Sequence, residues 1–354
     1  MSALFDPLTI GNVEFSNRIW VSPMCQYMAK DGVVGQWHEV HLGSFATGGT
    51  GLIMVEATGV VPEGRISIGC PSIEDDAHAH AFKSIIDFAH GHGVKMGIQL
   101  AHAGRKAGTA LPWADHKMAT PAEGGWQAVS SSPIAFEGYP EPRALTVDEI
   151  HQLTKDFAAA AKRAVAVGFD VIELHGAHGY LFHQFYSPLA NTRTDQYGGS
   201  FENRTRFLIE TVDAVKAAIP AGTPLFVRIS ATDWVDDGWN LIDSVELCTQ
   251  LKAHGVDLVD VSTGGNVHNA PIKATPGFQV PFATAIRAET GIMTTAVGLI
   301  TEPEQADHII QTGEADAVFM AREFLRNPRF PLYAAEKLGV KVQWPLPIER
   351  GKKL

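Results

Sequence analysis

The chain has 354 residues, a net charge of −11, 45% hydrophobic residues and a mean hydropathy of +0.00. The acidic balance disfavours binding to nucleic acid or to an anionic membrane, so neither partner is expected. No apolar run approaches the roughly 20 residues of a membrane span, and the first residues lack the basic and apolar regions of a signal peptide. We therefore expect a soluble, cytoplasmic protein.

Short β-branched or apolar runs alternate with longer amphipathic segments along the whole chain. The leader, through about residue 17, has the pattern of a short hairpin. The runs that follow it are, in chain order, IWVSP (19–23), LIMVEA (52–57), KMGIQL (95–100), DVIELH (170–175), LFVRIS (225–230), LVDVS (258–262), IMTTA (292–296) and ADAVFM (315–320). Buried strands separated by helices are the signature of a parallel sheet.

Eight such units predict an α/β protein with a closed (β/α)8 TIM barrel, whose bottom the hairpin closes. The alternative is a doubly wound sheet with a second domain. Because no linker or shift in composition divides the chain, we expect one domain over residues 1–354. The segment 102–145 interrupts the alternation after the third strand, and a loop of that length is usually functional.

The three cysteines, Cys25, Cys70 and Cys248, are far apart in the sequence and odd in number. This spacing predicts neither a disulfide framework nor a clustered zinc or iron-sulfur site. We therefore expect no metal.

Candidate functional residues follow the predicted strands, where the loops of a barrel carry its chemistry. In chain order they are Pro23, Met24, Cys25, Ala57, Gln99, His175, Arg228, Gly264, Gly265, Gly298, Ala321 and Arg322. Gly298, Ala321 and Arg322 follow the seventh and eighth strands, where barrels commonly bind phosphate. The alternative is that Gly298 only turns the chain and Arg322 pairs with a surface carboxylate, but their joint placement favours a phosphate site.

Arg228 is a fixed cation within an apolar strand, so its guanidinium needs a partner that accepts several hydrogen bonds. One interpretation is an ion pair with Glu56 or Glu173. The other is a ligand that develops negative charge, as the edge of a reduced flavin does. Gln99 offers one acceptor and two donors that suit the rim of a pyrimidine ring, although it could equally be a satisfied core amide.

The stretch HGAHGY places His175, His178 and Tyr180 directly after the fourth strand. Two histidines at this spacing could bind a metal, but no third ligand is evident. They could also be ordinary loop histidines. A third interpretation is that the imidazoles hold a carbonyl or nitro oxygen while Tyr180, protonated at neutral pH, donates a proton.

Together these motifs resemble the Old Yellow Enzyme family of FMN-dependent ene reductases, in particular the bacterial, xenobiotic-reductase-like branch with a cysteine in the flavin pocket. The resemblance covers nearly the whole chain. It is carried by LFDPLTIGNVEFSNRIWVSPMCQY, GIQLAHAGRKA, HGAHGYLFHQFYSPLANTRTDQYGGSFENRTRF, FVRIS, AVGLI and MAREFLRNP. This combination is far more specific than any one of its motifs.

The resemblance implies a role for each candidate residue. The residues that would wrap the flavin ring are Pro23, Met24, Cys25, Ala57, Gln99 and Arg228, and those at its phosphate end are Gly264, Gly265, Gly298, Ala321 and Arg322. His175 and His178 would bind the substrate oxygen, Tyr180 would be the proton donor, and Tyr27 would lie over the flavin. Cys25 would tune the redox potential.

The implied activity is that of an NADPH dehydrogenase with a ping-pong mechanism. NAD(P)H, a transient hydride donor, reduces FMN and leaves, and an activated alkene, quinone or nitro compound then takes its place. For an α,β-unsaturated carbonyl, hydride goes to the β carbon and a proton to the α carbon. The resemblance also implies a homodimer or homotetramer in which Arg350 reaches the active site of a neighbouring subunit.

Departures from the family pattern are few. Ala321 stands where many relatives have glycine, which would strain the phosphate turn if that position required a positive φ. His178 and Cys25 replace an asparagine and a threonine of the yeast branch, and both choices fit the bacterial branch. GGTG at 48–51 precedes a strand rather than following one, so it does not predict a Rossmann domain with a permanently bound nicotinamide.

Two rival functions remain at this stage. A barrel glycoside hydrolase needs two facing carboxylates, and Glu56, Glu173 and Asp233 lie at or near strand ends. A non-catalytic flavin-binding protein would keep the fold without turnover.

Overall fold

The computed structural model describes residues 2–352 and contains a closed barrel of eight parallel strands. The strands of the chain are β1 (Leu8–Ile10), β2 (Val13–Phe15), β3 (Ile19–Val21), β4 (Leu52–Gly59), β5 (Lys95–Ala101), β6 (Val129–Ser130), β7 (Arg143–Ala144), β8 (Val171–Gly176), β9 (Leu225–Ser230), β10 (Leu258–Ser262), β11 (Met293–Ala296) and β12 (Ala317–Met320). The barrel order is β3-β4-β5-β8-β9-β10-β11-β12, and β12 pairs with β3 to close it.

Helices lie between the barrel strands. They are α1 (Gln36–Ala46), α2 (Asp76–His80), α3 (Lys83–Gly91), α4 (Val147–Val167), α5 (Leu181–Tyr186), α6 (Phe201–Ala218), α7 (Leu241–Ala253), α8 (Val280–Thr290), α9 (Pro303–Gln311), α10 (Arg322–Arg326) and α11 (Phe330–Lys337). The predicted (β/α)8 barrel is therefore confirmed, and each predicted apolar run overlaps one barrel strand. The doubly wound alternative is wrong.

Aspartates at the start of three barrel strands fix the register of the strands. One aspartate directly precedes each of β8, β10 and β12, namely Asp170, Asp257 and Asp316. Each accepts a hydrogen bond from the backbone of a neighbouring strand. The donors are the N–H groups of Met96, Leu225 and Thr294, at 2.8, 2.9 and 2.9 Å. A slip of one residue would break these bonds and would also exchange the inward-facing and outward-facing side chains.

The hairpin of β1 and β2 closes the lower end of the barrel, as predicted. Phe15 is fully buried, and its ring centroid lies 4.8 Å from that of Trp20, which also stacks on Phe226 at 6.0 Å. The Trp20 indole N–H donates to the carbonyl of Asn17 at 3.0 Å. The lower end of the barrel is thus filled with aromatic rings and leaves the upper end for chemistry.

The segment 102–145 contains three-residue 3₁₀ helices at Gly104–Lys106 and Pro121–Glu123 and the short pair β6 and β7. Thr146 follows the segment, and its side chain accepts a hydrogen bond from the N–H of Glu149 at the start of α4. Of the helices in residues 2–352, none combines the length and apolar character that crossing a membrane requires.

Replacement of Phe15 by alanine tests the role of the hairpin. Loss of a fully buried aromatic side chain should lower the free energy of unfolding by about 3–5 kcal/mol. Denaturant unfolding followed by tryptophan fluorescence measures the change. A loss below about 1 kcal/mol would mean that the hairpin does not contribute to the barrel core.

Candidate active site

The register of the barrel brings His175, Arg228 and Asp260 side by side near the carboxyl ends of their strands. His175 of β8 pairs with Arg228 of β9, which pairs with Asp260 of β10. In the same way, Gln99 of β5 pairs with Glu173 of β8. Residues separated by up to 161 positions, from Gln99 to Asp260, therefore form one buried polar layer.

Arg228 pairs with Asp260, and not with Glu56 or Glu173 as one interpretation of the sequence held. Its Nε lies 2.9 Å from Oδ2 of Asp260, whose Oδ1 accepts from the hydroxyl of Thr295 at 2.8 Å. Glu56 instead faces His38. The physical reason is that alternate residues of adjacent parallel strands face the same side, and Asp260 is level with Arg228.

The rest of the Arg228 guanidinium has no protein partner. Arg228 is 5% exposed, and among residues 2–352 no hydrogen bond joins its Nη1 or Nη2 to another protein group. A buried guanidinium with free N–H groups requires an acceptor, because leaving them unpaired costs free energy. The site therefore fits a ligand with several acceptor atoms, such as the pyrimidine edge of a flavin.

Gln99 is held in position by Glu173. Its amide Nε2 donates to Oε1 of Glu173 at 2.8 Å, which leaves the amide oxygen and the second N–H for a ligand. Burial and the neighbouring Asp260 raise the pKa of Glu173 to about 8. The shift favours the protonated form of Glu173, and the carboxylate in contact with the Arg228 guanidinium is that of Asp260.

A cleft at the ends of β11 and β12 has a volume of about 230 Å³ and is lined by Gly298, Ala321, Arg322 and Gln279 among others. Gly298 has a φ of +119°, and a Cβ there would lie 2.9 Å from Nε2 of Gln279. Ala321 has a φ of −110°, so the alanine causes no left-handed strain. With the exposed cation of Arg322 on its wall, this cleft fits a phosphate group.

His175, His178 and Tyr180 form a compact group at the end of β8, and His175 also belongs to the polar layer. The ring centroid of His175 lies 5.1 Å from that of His178 and 4.9 Å from that of Tyr180. His175 is buried, whereas the other two are partly exposed to the pocket. The structure thus brings together three residues that the sequence motif singles out, with the His175 ring in contact with the other two.

Both imidazoles are neutral. Burial, followed by the nearby cation of Arg228, lowers the pKa of His175 and of His178 well below the usual range. Nδ1 of His175 accepts from the N–H of Ala177 at 3.3 Å, so the ring proton is on Nε2. His175 therefore offers an N–H donor without carrying a charge.

His178 is held by a dense set of contacts. Its φ is +59°, its N–H donates to the Ser230 hydroxyl at 2.9 Å, and its carbonyl accepts from the Lys106 ammonium at 2.8 Å. The Ser262 hydroxyl has two possible acceptors. Nε2 of the His178 ring lies 2.8 Å from it, and Oε1 of Gln279 lies farther away, at 3.4 Å. The shorter contact favours donation from Ser262 to Nε2, which places the ring proton on Nδ1.

Tyr27 and Tyr180 line one cavity of about 530 Å³, to which the segment 102–145 contributes much of the wall. Burial raises the pKa of both phenols, so both are protonated at neutral pH. The Lys106 ammonium lies 5.0 Å from the ring centroid of Tyr180, and burial lowers the pKa of this lysine to about 8. Trp113 packs edge-on against Tyr27 at 6.4 Å.

The remaining predicted residues lie at the same end of the barrel, with one exception. Pro23, Met24 and Cys25 follow β3 and are partly buried, Ala57 is buried in β4, and Gly264 and Gly265 follow β10 with φ of +70° and +90°. Arg350 lies in an exposed 3₁₀ helix, Leu346–Gly351, near the C-terminus. No ion pair of Arg350 is present within residues 2–352.

The cysteine prediction needs correction. Cys25 and Cys70 are far apart in the sequence, but their Sγ atoms and a carboxylate oxygen of Glu56 all lie within 4.8 Å of one another. A hydrogen bond with Cys70 and burial raise the pKa of the Cys25 thiol well above its usual range. Sequence spacing missed this cluster because two successive barrel loops bring the thiols together.

The three carboxylates of the glycosidase alternative each have their own partner. Glu56 lies 3.2 Å from Nε2 of His38, Glu173 accepts from Gln99, and Asp233 lies 2.9 Å from Nε2 of His183. Glu173 and Asp233 are fully buried. These carboxylates are part of internal polar networks and do not face one another across the cavity.

Several residues of the site were missed from the sequence. Lys106, Asp260 and Ser262 contact predicted residues directly, and Gln279 lines the phosphate cleft with Gly298. Lys106 stands in the GRK stretch that follows Gln99. The lysine in that stretch, which follows a strand end, could have been predicted from the sequence as a residue of the site. The role of Gln279, at the start of α8, had no signal in the sequence.

The contact of two loops at Gly265 is testable by substitution. A Cβ at Gly265 would lie 2.6 Å from Cα of His178, in a backbone with φ of +90°. Gly265→Ala should cost on the order of 1–3 kcal/mol from the backbone alone and more from the clash. Gly199→Ala is the control, because it has a φ of +83° with no heavy atom within 4 Å. Thermal unfolding compares them, and equal losses would contradict a role for this contact.

Comparison with known proteins places the chain in a family. Residues 3–340 match the NADH:flavin oxidoreductase / NADH oxidase family. An NADPH dehydrogenase of Geobacillus thermodenitrificans is 47% identical over 353 residues, with 99% of this chain and 98% of that protein covered. Morphinone reductase in complex with tetrahydroNAD has a TM-score of 0.79 at 28% identity, covering 98% of this chain and 93% of that chain.

A 2-naphthoyl-CoA reductase in complex with 2-naphthoyl-CoA has a TM-score of 0.85 at 24% identity. The match covers 95% of this chain and 52% of that one, and at this identity it bears on the fold alone. The family match excludes the glycosidase alternative and confirms the resemblance predicted from the motifs. The chain belongs to the NADH:flavin oxidoreductase / NADH oxidase family.

Proposed function

We propose that this protein is an FMN-dependent NADPH dehydrogenase that reduces activated alkenes, within a single FMN-binding domain over residues 1–354. The observation that carries the proposal is that His175, which contacts the rings of His178 and Tyr180, is level with Arg228 on the neighbouring strand, and that Arg228 has N–H groups without a protein partner in residues 2–352. A flavin site and a substrate-oxygen site thus share one wall. The curated relative from Geobacillus, named as an NADPH dehydrogenase, supports the choice of NADPH.

The residues present fit FMN at both ends. Around the ring we assign Pro23, Met24, Cys25, Ala57, Gln99 and Arg228, and around the phosphate Gly264, Gly265, Gly298, Ala321 and Arg322. Bound there, FMN supplies the hydride chemistry that links NADPH to the alkene. Gln99 and Arg228 offer N–H donors to the pyrimidine edge, where charge accumulates on reduction.

His175 and His178 bind the oxygen of the substrate. Each presents one N–H, on Nε2 of His175 and Nδ1 of His178, and two neutral donors stabilise an oxygen as it becomes an enolate. Because both rings are neutral at neutral pH, they do not protonate the oxygen. A carbonyl, quinone or nitro oxygen would satisfy the same pair of donors.

Tyr180 provides the proton for the α carbon. Its phenol retains the proton at neutral pH since burial raises its pKa, and it lies beside His175 and hence beside the bound oxygen. Lys106, which lies over the Tyr180 ring and donates to the carbonyl of His178, positions both residues. Tyr27 lines the cavity together with residues of the segment 102–145.

His175→Ala separates the two halves of the reaction. The variant should reduce cyclohexenone on the order of 10²-fold to 10³-fold more slowly, because one oxygen donor is lost, while reduction by NADPH changes much less. Anaerobic stopped-flow absorbance measures each half separately.

His308→Ala, on the exposed face of α9, serves as the control.

Tyr180→Phe should also slow the half-reaction that reduces the alkene, with little change in binding of the alkene. If both active-site variants reduced the alkene as fast as the wild type, these roles of His175 and Tyr180 would be ruled out. If the wild-type protein bound FMN but did not turn over, it would be a flavin-binding protein only.

Arg350 belongs, in our proposal, to the active site of a neighbouring subunit in a homodimer or homotetramer. The support is its exposure near the C-terminus without an ion pair in residues 2–352. Arg350→Ala should raise the KM for the alkene, and analytical ultracentrifugation should show an oligomer. A monomer, or an unchanged KM in an intact oligomer, would rule out this role.

A further inference from the structure

A second polar cluster, formed by Cys25, Cys70 and Glu56, lies beside the proposed flavin site. Three ligand atoms, the two Sγ atoms and a carboxylate oxygen, are all within 4.8 Å of one another. Cys70 is fully buried and Glu56 is 4% exposed, whereas Cys25 is partly exposed. Cys25 belongs to the proposed flavin site, but neither Cys70 nor Glu56 has a place in the proposed reaction.

The backbone holds the two thiols together. The N–H of Ala29, in the loop after β3, donates to the carbonyl of Gly69, in the loop after β4, at 2.9 Å. A Cβ at Gly69 would lie 2.6 Å from the carbonyl oxygen of Tyr27, so only glycine permits this approach. Cys70 follows Gly69 directly, and the proximity of the thiols is therefore built into the contact between the loops.

The third ligand is oriented by groups outside the cluster. The Glu56 carboxylate accepts from the N–H of Gln26 at 2.9 Å, and its other oxygen lies 3.2 Å from Nε2 of His38. Nδ1 of His38 accepts from the N–H of Gly35 at 3.3 Å, so Nε2 carries the proton and faces Glu56. Such outer partners commonly orient the ligands of metal sites.

Two thiolates and one carboxylate are a donor set for a borderline-soft divalent cation in tetrahedral geometry. Bonds of about 2.3 Å to sulfur place two sulfur ligands about 3.8 Å apart, so the cluster needs an adjustment on the order of 1 Å at most. Three protein ligands leave one position open. Oxygen-preferring cations such as Mg²⁺ and Ca²⁺ would find only one suitable ligand here.

We propose that Cys25, Cys70 and Glu56 form a binding site for one thiophilic divalent cation of the Zn²⁺ and Cd²⁺ class. The spacing of the cysteines in the sequence predicted no metal. The contact between the loops after β3 and β4 changes this prediction, because it brings the two thiols together. Binding exchanges the two thiol protons, which pass to solvent, for two metal–sulfur bonds, with no change in oxidation state. Inhibition of turnover is a consequence that rests on the proposed function, because Cys25 also belongs to the flavin site.

Titration of the flavin-loaded protein with Cd²⁺ alone, in buffer without added thiols, tests the site. Equilibrium dialysis should give one tightly bound Cd²⁺ per chain, and ultraviolet difference spectra should show the thiolate-to-cadmium charge-transfer band. Cys70→Ala should lose the band and bind Cd²⁺ at least about 100-fold more weakly, because one of the two soft ligands is gone. It should retain FMN and NADPH turnover.

Two further variants make the test specific. Cys248→Ala removes a buried thiol of α7 outside the cluster and should bind Cd²⁺ as the wild type does. Glu56→Gln keeps the side-chain shape and should weaken binding while retaining the band. Absence of the band in the wild type, or equal binding by wild type and Cys70→Ala, would overturn the proposal. The readouts need no NADPH, so Cd²⁺ binding without flavin turnover would support the metal site while overturning the proposed function.

Discussion

The closure of a parallel barrel in one register is the constraint on which the rest of this molecule depends. Because all eight strands run in the same direction, their carboxyl ends meet at one mouth, and side chains from distant parts of the chain become neighbours. Aspartates near the strand starts fix that register by accepting neighbouring backbone N–H groups. The aromatic plug around Trp20 fills the opposite end, so the polar groups are concentrated at the mouth.

The electrostatics of the mouth follow from one buried cation. Arg228 is paired with Asp260 on one side and has unpaired N–H groups on the other. In this environment of low polarity, its charge adds to burial in keeping His175 and His178 neutral. Burial also keeps Tyr180 protonated. In the proposed function, the same features supply an anchor for an electron-rich ring and a set of neutral donors beside it, which is what stabilising a developing enolate requires.

Much of this could be predicted from the sequence. The eight strands carry continuous apolar runs, and the family match confirms what the combined motifs indicate. The positions of His175, Arg228 and Gly298 follow from one rule, that chemistry stands where barrel strands end. What the sequence could not supply were contacts set by register or by loop packing. Asp260 rather than Glu173 pairs with Arg228 because of its level in the barrel, and Cys70 meets Cys25 because Gly69 lets two loops touch.

The central claim is that the unpaired donors of the barrel mouth hold a flavin that passes hydride from NADPH to an alkene bound by the two histidines. The most direct measurement is an anaerobic visible absorption spectrum of the purified protein, recorded alone, after NADPH and again after cyclohexenone. We expect flavin bands that bleach with NADPH and return with the enone. A protein that shows no flavin bands and acquires none with added FMN would contradict the claim.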